Sequence, residues 1–140
     1  MGRILAIDYG TKRTGIAVTD PLKLIATSLE TVATGEALNY IKDYTNREMV
    51  EAMVIGIPRH LNNNEAELMP VIEKFIEKLN ESCPNIPIHR YDERFTSLMA
   101  QKSLIESGQS RKTRRDKSVL DRISATILLQ SWLEHQQFRK

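Results

Sequence analysis

Cysteine is almost missing from this sequence, because Cys83 is the only one among 140 residues. A single cysteine cannot form an internal disulfide, and it excludes a zinc site built from several cysteines. The three histidines, His60, His89 and His135, are scattered along the chain and suggest no zinc-binding motif. Cys83 precedes a proline in a predicted loop, and we interpret it as incidental.

Long hydrophobic runs are also missing. No run approaches the ~20 apolar residues of a membrane helix, and the N-terminus enters a strand pattern without the features of a signal peptide. We therefore expect a cytoplasmic protein with no membrane partner. The net charge of +2 is too small to indicate nucleic acid by itself.

Aromatic residues make up only 6% of the chain. An aromatic platform that stacks single-stranded nucleic acid is therefore not supported. Phe75 and Trp132 are interpreted as core residues. Tyr9 and Tyr91, which lie next to acidic residues, are the candidates for stacking.

Hydrophobic periodicity predicts an α/β protein with a mixed five-stranded sheet. A three-strand antiparallel meander comes first, and two parallel strands alternate with helices after it. Right-handed crossovers place the fourth strand beside the first. The length suits one domain over residues 1–140. The expected strands cover residues 3–8, 13–19, 22–32, 51–58 and 86–91, and the expected helices cover 35–47, about 68–79, 97–108 and 118–136, with Pro70 either starting or kinking the second helix.

Acidic residues stand at the carboxyl ends of two predicted strands, where sheets of this kind gather ligand sites. Asp8 ends the first strand, and Asp92 and Glu93 follow the fifth. Each acid also has a simpler interpretation. Aspartate is a common turn residue, and acids at the start of a helix favour its dipole.

A third acid, Asp121, shares a face of the last predicted helix with Ala125, Leu128 and Trp132. A carboxylate on such an apolar helix needs a salt bridge or a metal ion. Clustered carboxylates repel one another unless a cation lies between them, and Mg²⁺ prefers oxygen ligands. Three acids on separate elements therefore indicate metal-assisted cleavage of phosphodiester bonds.

Basic residues are concentrated just before that last helix, in the segment from Gln109 to Lys117. This segment either contacts phosphates of nucleic acid or is a solvated loop. Lys12 and Arg13 lie beside Asp8, between Gly10 and Gly15, and are further candidates for holding a phosphate. The basic residues of the segment are Arg111, Lys112, Arg114, Arg115 and Lys117.

Four segments carry a family resemblance: IDYGTKRTGIAVTD at 7–20, VIGIP at 54–58, YDERFTS at 91–97 and KSVLDRISATILLQSWL at 117–133. Over essentially its full length the chain resembles the YqgF family, also called RuvX, of the ribonuclease H-like superfamily. The resemblance implies a ribonuclease H-like fold and a nuclease that depends on Mg²⁺ or Mn²⁺. It also implies trimming of the 5′ end of the 16S ribosomal RNA precursor, and similarity to the Holliday junction resolvase RuvC.

The acids of that family fall on Asp8, Glu93 and Asp121, while Asp92 and Arg94 share the second motif. Arg94 joins the basic residues above as an expected contact for nucleic acid. The segment 59–65 departs from the family because it lacks the usual glycine, so we expect its contacts to the substrate to differ from those of the family.

Other functions remain open at this point. The chain could resolve branched DNA, or it could be a non-catalytic RNA-binding factor in ribosome assembly. Its first hairpin also resembles a phosphate loop of the actin, sugar kinase and Hsp70 superfamily, although that superfamily needs two such lobes. The expected partners are pre-16S rRNA or branched DNA, together with the ribosome or its precursors, and the expected state is a monomer or a weak homodimer.

Overall fold

The computed structural model describes residues 2–57, 63–92 and 117–138, with side chains from residue 67 in the second helix and over 124–136 in the last. The expected helix at 97–108 and the segment 59–62 lie outside this range. The elements are β1 (Arg3–Asp8), β2 (Arg13–Thr19), β3 (Ala26–Ala33), α1 (Thr34–Arg47), β4 (Val50–Ile57), α2 (Asn63–Ser82), β5 (Ile88–Asp92) and α3 (Lys117–Phe138).

The five strands form one sheet in the order β3-β2-β1-β4-β5. β1 pairs antiparallel with β2, and β2 pairs antiparallel with β3. β1 pairs parallel with β4, and β4 pairs parallel with β5. The predicted meander with two added parallel strands is confirmed, including the place of the fourth strand beside the first.

Helices cover both faces of this sheet, which explains why β1 and β4 are apolar at almost every position. On one face, Leu5, Ile7 and Ile55 belong to a core that also holds Ile41 of α1 and Leu79 of α2. We call this the α2 face.

The other face packs against α3. Ala6, Ala17 and Ala52 contribute small side chains there, and Leu128 and Leu129 of α3 are buried against them. Small residues let the helix lie close to the sheet. We call this the α3 face.

The third strand begins later than the sequence predicts. Leu22, Leu24 and Ile25 look like strand residues, but their backbone N–H groups donate to the Asp20 carboxylate at 3.1, 2.9 and 2.8 Å. These bonds hold residues 20–25 in a turn in place of a strand. The three apolar side chains are consequently exposed.

The second helix begins seven residues before Pro70, so the alternative in which Pro70 starts the helix is wrong. At the other end, the backbone N–H of Cys83 donates to the Leu79 carbonyl at 2.8 Å. Cys83 follows the end of the helix, as predicted, but its side chain is buried in the α2-face core, so its interpretation as incidental is wrong.

Within the described ranges, the helices include none that is long and apolar enough to span a membrane.

Candidate active site

Asp8 lies at the carboxyl end of the central strand β1, opposite Gly15 of β2, and is partly buried. Side chains alternate between the two faces of a strand. Ile4 and Ala6 belong to the core on the α3 face, so Asp8, two residues further along, lies on the α3 face as well. The helix that carries residue 121 packs against this same face.

The carboxyl end of β5 has a different arrangement. Tyr91 contacts α3, whereas Arg90 binds Glu73 of α2 with Nε and Nη2 at 3.1 and 2.8 Å from the carboxylate oxygens. Asp92 pairs with Ile57 of β4, and by alternation it shares the α2 face with Arg90. Asp92 and Asp8 therefore lie on opposite faces of the sheet.

The structure places only part of the predicted carboxylate cluster. Asp121 lies within α3, but its side chain is outside the described set, and Glu93 lies outside the described residues altogether. Among the side chains that are described, no three His, Cys, Asp or Glu residues come together as a metal site. The cluster of three acids thus stays a prediction.

The structure likewise describes only some of the predicted basic residues. Lys12 and Arg13 are exposed in and after the turn that follows Asp8. Lys117 begins α3, and its side chain is not described. The remaining members lie outside the described ranges: Arg94, Arg111, Lys112, Arg114 and Arg115.

The turn between β1 and β2 depends on Gly10. A Cβ atom at this position would lie 2.3 Å from the carbonyl oxygen of Arg13, which is too close for any side chain. The tight turn that the two glycines predict is therefore present at Gly10. The exposed residues Lys12 and Arg13 follow Asp8 in this turn and at the start of β2.

Thr34, the first residue of α1, holds this turn from the side. Its hydroxyl donates to the Gly10 carbonyl at 2.6 Å, and its backbone N–H donates to the Lys12 carbonyl at 3.0 Å. The Thr14 hydroxyl lies 2.9 Å from the Thr34 hydroxyl. Sequence reasoning missed Thr34, because nothing in one sequence links it to a turn more than twenty residues earlier.

Tyr91 connects β5 to α3 through its hydroxyl group. The oxygen lies 2.6 Å from the hydroxyl of Ser131 and 2.7 Å from Nδ1 of His135. Burial raises the pKa of Tyr91, and the hydrogen bond with Ser131 opposes that effect. This contact connects the strand before Glu93 to the helix that carries Asp121.

The aromatic residues proposed for stacking make contacts inside the protein. Tyr9 packs against Phe75 with a distance of 5.0 Å between ring centroids, and its pKa is raised by burial. Phe75 is buried, as predicted. Trp132 is only partly buried and lies against the α3-face core, so its interpretation as a core residue needs correction.

Two of the histidines are not scattered in the folded chain. His89 of β5 and His135 of α3 line one cleft of about 290 Å³, together with Trp132. No sequence pattern indicates this cleft, because its two walls are far apart in the chain and meet only when α3 packs on the sheet.

A family model described as "RuvX: Holliday junction resolvase" matches residues 2–135. A protein of Porphyromonas gingivalis named as a candidate pre-16S rRNA nuclease is 53% identical over 135 residues, covering 96% of this chain and 98% of the relative. A protein of Bacteroides thetaiotaomicron with the same name is 49% identical over 138 residues, covering 99% of this chain and all of the relative (100%).

Similar solved structures include RuvC of T. thermophilus in complex with a Holliday junction, with a TM-score of 0.56 and 16% identity over 97% of this chain and 96% of that one. The Fowlpox virus resolvase bound to junction DNA has a TM-score of 0.54 and 13% identity over 96% of this chain and 98% of that one. Similarity at this level shows the fold, which is ribonuclease H-like, and confirms the predicted fold class.

Proposed function

The chain belongs to the RuvX family, and we propose that it is a divalent-metal-dependent endonuclease that cleaves phosphodiester bonds in the precursor of 16S ribosomal RNA. One observation carries this proposal. Asp8 lies at the carboxyl end of the central strand, on the face of the sheet that α3 covers. In less specific terms, the protein is a hydrolase that acts on nucleic acid.

The donor chemistry at this edge fits Mg²⁺ or Mn²⁺. Asp8 offers carboxylate oxygens, which are the ligands that such hard cations prefer. Asp121 is the proposed second carboxylate, because α3 packs on the face where Asp8 lies. When bound, the cation would lower the pKa of the attacking water and stabilise charge on the leaving oxygen.

Glu93, rather than Asp92, is our proposed acid from the second motif. Asp92 shares the α2 face with Arg90, which binds Glu73 of α2. In an extended chain the next position falls on the opposite face, which is the face of Asp8. What supports Glu93 is that Asp92 lies on the opposite face of the sheet from Asp8, which argues against Asp92 as its partner and leaves Glu93 as the acid of that motif.

The residues around Asp8 suit the binding of a phosphate backbone. Gly10 leaves no side chain at the tightest point of the turn, and Thr34 fixes two carbonyl groups of that turn. Exposed Lys12 and Arg13 would offset phosphate charge beside the reacting bond. We propose the same role for the residues beyond the described ranges: Arg94, Arg111, Lys112, Arg114, Arg115 and the side chain of Lys117.

RNA is the preferred substrate in this proposal. The relatives that are about half identical to this chain are named for pre-16S rRNA, whereas the solved structures with junction DNA are 16% and 13% identical. We further propose that residues 1–140 form one domain that acts in the cytoplasm on precursors of the ribosome, as a monomer or a weak homodimer.

The test is cleavage of precursor 16S RNA and of a four-way DNA junction, with Mg²⁺ or Mn²⁺ and with a chelator. Asp8→Asn is compared with Asp43→Asn, an exposed acid of α1. We expect RNA cleavage that requires the cation, is lost in Asp8→Asn and persists in Asp43→Asn.

Three results would overturn the proposal. Equal cleavage by wild type and Asp8→Asn would place the activity elsewhere or in a contaminant. Cleavage of the junction without cleavage of the RNA would identify a resolvase. Tight RNA binding without cleavage under any cation would identify a non-catalytic assembly factor.

A further inference from the structure

A cleft of about 290 Å³ lies between the edge of β5 and the C-terminal half of α3. Residues 88–91 form one wall, and Trp132, His135 and Gln136 form the other. Its volume is at the lower end of the ~300–1,000 Å³ that ligand pockets span. The cleft is therefore large enough for one planar ring system and too small for an extended cofactor.

Ring-bearing side chains dominate the walls of this cleft. The rings of His89 and Trp132 have centroids 5.5 Å apart and are tilted by 35°. The rings of Tyr91 and His135 have centroids 5.3 Å apart in an edge-on arrangement. At 5.5 Å the rings of His89 and Trp132 are in contact, so no base fits between them. Exposed His89 and partly buried Trp132 still line the cleft, and a planar heterocycle can stack on the ring surface they leave there.

The polar groups of the cleft favour a base over a metal or a phosphate. The described residues that line it include two histidines and no carboxylate, which is too few ligands for a metal site. Arg90 already binds Glu73 through two hydrogen bonds on the α2 face. Gln136 offers both a donor and an acceptor, which suits the edge of a nucleobase.

The cleft is close to the proposed active site. Tyr91 lies one residue before the end of β5, on the same carboxyl edge and the same α3 face as Asp8. β4 alone separates β5 from β1, and strands are spaced ~4.8 Å apart, so the two strands lie roughly 10 Å apart. The cleft is therefore within reach of an RNA strand bound at Asp8.

We propose that this cleft binds an unpaired nucleobase of the RNA substrate, which stacks on Trp132 and His89 while Gln136 contacts its edge. The inference rests on the proposed nuclease function for the identity of the RNA. It adds that the enzyme selects single-stranded RNA next to the bond it cleaves.

Trp132 makes the test direct, because it is the only tryptophan of the chain. The full chain is titrated with a short single-stranded RNA in a chelator, so that no cleavage occurs, and tryptophan fluorescence is followed. We expect saturable quenching by the RNA. An oligonucleotide of the same length without bases should bind through its phosphates without quenching.

A matched pair of glutamines tests the contact on α3. Gln136 lines the cleft, whereas Gln130 is exposed on the same helix and does not. We expect His89→Ala to weaken the fluorescence-detected affinity by roughly 5- to 100-fold, Gln136→Ala to weaken it by about 2- to 10-fold, and Gln130→Ala to leave it unchanged.

Several outcomes would overturn the inference. The first is that tryptophan fluorescence is not quenched at RNA concentrations that saturate binding measured by anisotropy. The second is equal quenching by the oligonucleotide without bases. The third is that Gln136→Ala and Gln130→Ala bind the RNA with equal affinity. A response to Zn²⁺ but not to RNA, lost in His135→Ala, would identify a metal site and also overturn it.

The two proposals fail separately. The fluorescence titration contains no divalent cation, so it reports stacking at Trp132 without any contribution from cleavage. Quenching without cleavage would contradict only the nuclease proposal, and cleavage without quenching would contradict only the nucleobase cleft.

Discussion

Gly10 is the residue on which the turn beside Asp8 depends most directly. Gly10→Ala would place a methyl group against the Arg13 carbonyl, so the turn must shift. We expect the free energy of unfolding to fall by about 1–3 kcal/mol, measured by urea denaturation. Gly35→Ala is the control, because a Cβ there meets no atom within 4 Å and alanine favours a helix by ~0.5–1 kcal/mol. Equal changes in both variants would contradict this role.

Thr34 supports the same turn through hydrogen bonds. Thr34→Val removes the donor to the Gly10 carbonyl and the partner of the Thr14 hydroxyl. We expect a loss of about 1 kcal/mol in unfolding free energy, measured by urea denaturation. Thr45→Val removes a local bond to the Lys42 carbonyl and a weaker contact of 3.8 Å with the Cys83 sulfur, and should change stability by less than ~0.5 kcal/mol. A loss as large in Thr45→Val would argue against a specific clamp.

Single residues differ in how well the sequence predicts their roles. Asp8 and Gly10 were predictable, because a strand pattern ends at one and a turn needs the other. Thr34 was not predictable, since its partners lie at the other end of a β-meander. Trp132 was assigned to the core because helical spacing places it on the buried face, but spacing does not show that its ring also lines a cleft beside β5.

At the level of elements, the contact between β5 and α3 depends on the Tyr91 hydroxyl. Tyr91→Phe leaves the buried hydroxyl of Ser131 without this partner and removes the contact to His135. We expect unfolding free energy to fall by about 1–2 kcal/mol, measured by urea denaturation. Tyr40→Phe on α1 is the control, with an expected change below ~0.5 kcal/mol. Indistinguishable variants would show that the hydroxyl does not connect these elements.

The turn before β3 makes stability depend on acid. Backbone N–H groups, first that of Ile25 and then those of Leu24 and Leu22, hold the pKa of Asp20 below the usual value of an aspartate. A lowered folded-state pKa stabilises the fold above the unfolded-state pKa, and this contribution is lost as pH falls through the folded-state pKa.

Asp20→Asn tests this dependence, because asparagine accepts hydrogen bonds without titrating. We expect wild type to be more stable at pH 7 and the difference to shrink as pH falls below about 4, measured as urea midpoints across that range. A difference between wild type and Asp20→Asn that stays constant down to the acid limit would contradict this account.

The same turn shows why one strand boundary was mispredicted. β1 and β4 were predictable because burial on both faces leaves long apolar runs. Leu22, Leu24 and Ile25 are as apolar as the residues of those strands. Their backbone amides, however, bind a side chain instead of a neighbouring strand. An apolar composition predicts burial, but it does not show whether a side chain competes with a neighbouring strand for the backbone hydrogen bonds.

For the whole molecule, topology followed from the order of elements, because right-handed crossovers leave few ways to add β4 and β5 to a meander. The order of elements did not show on which face of the sheet each acidic residue lies. Only the described strand β5 shows that Asp92 and Asp8 lie on opposite faces, and the cleft between β5 and α3 exists only once the helix has packed.

We propose above all that Asp8, Glu93 and Asp121 act as one catalytic unit. Residues that act as a unit give strongly non-additive losses. The most direct measurement is therefore the single-turnover cleavage rate of precursor 16S RNA by Asp8→Asn, Glu93→Gln, Asp121→Asn and the Asp8→Asn/Asp121→Asn double variant. Asp43→Asn serves as the control.

We predict that each single variant loses at least about 10³-fold in rate, that the double variant is no slower than the single ones, and that Asp43→Asn cleaves like wild type. A rate near wild type in any of the three single variants, or losses that multiply in the double variant, would contradict a shared site.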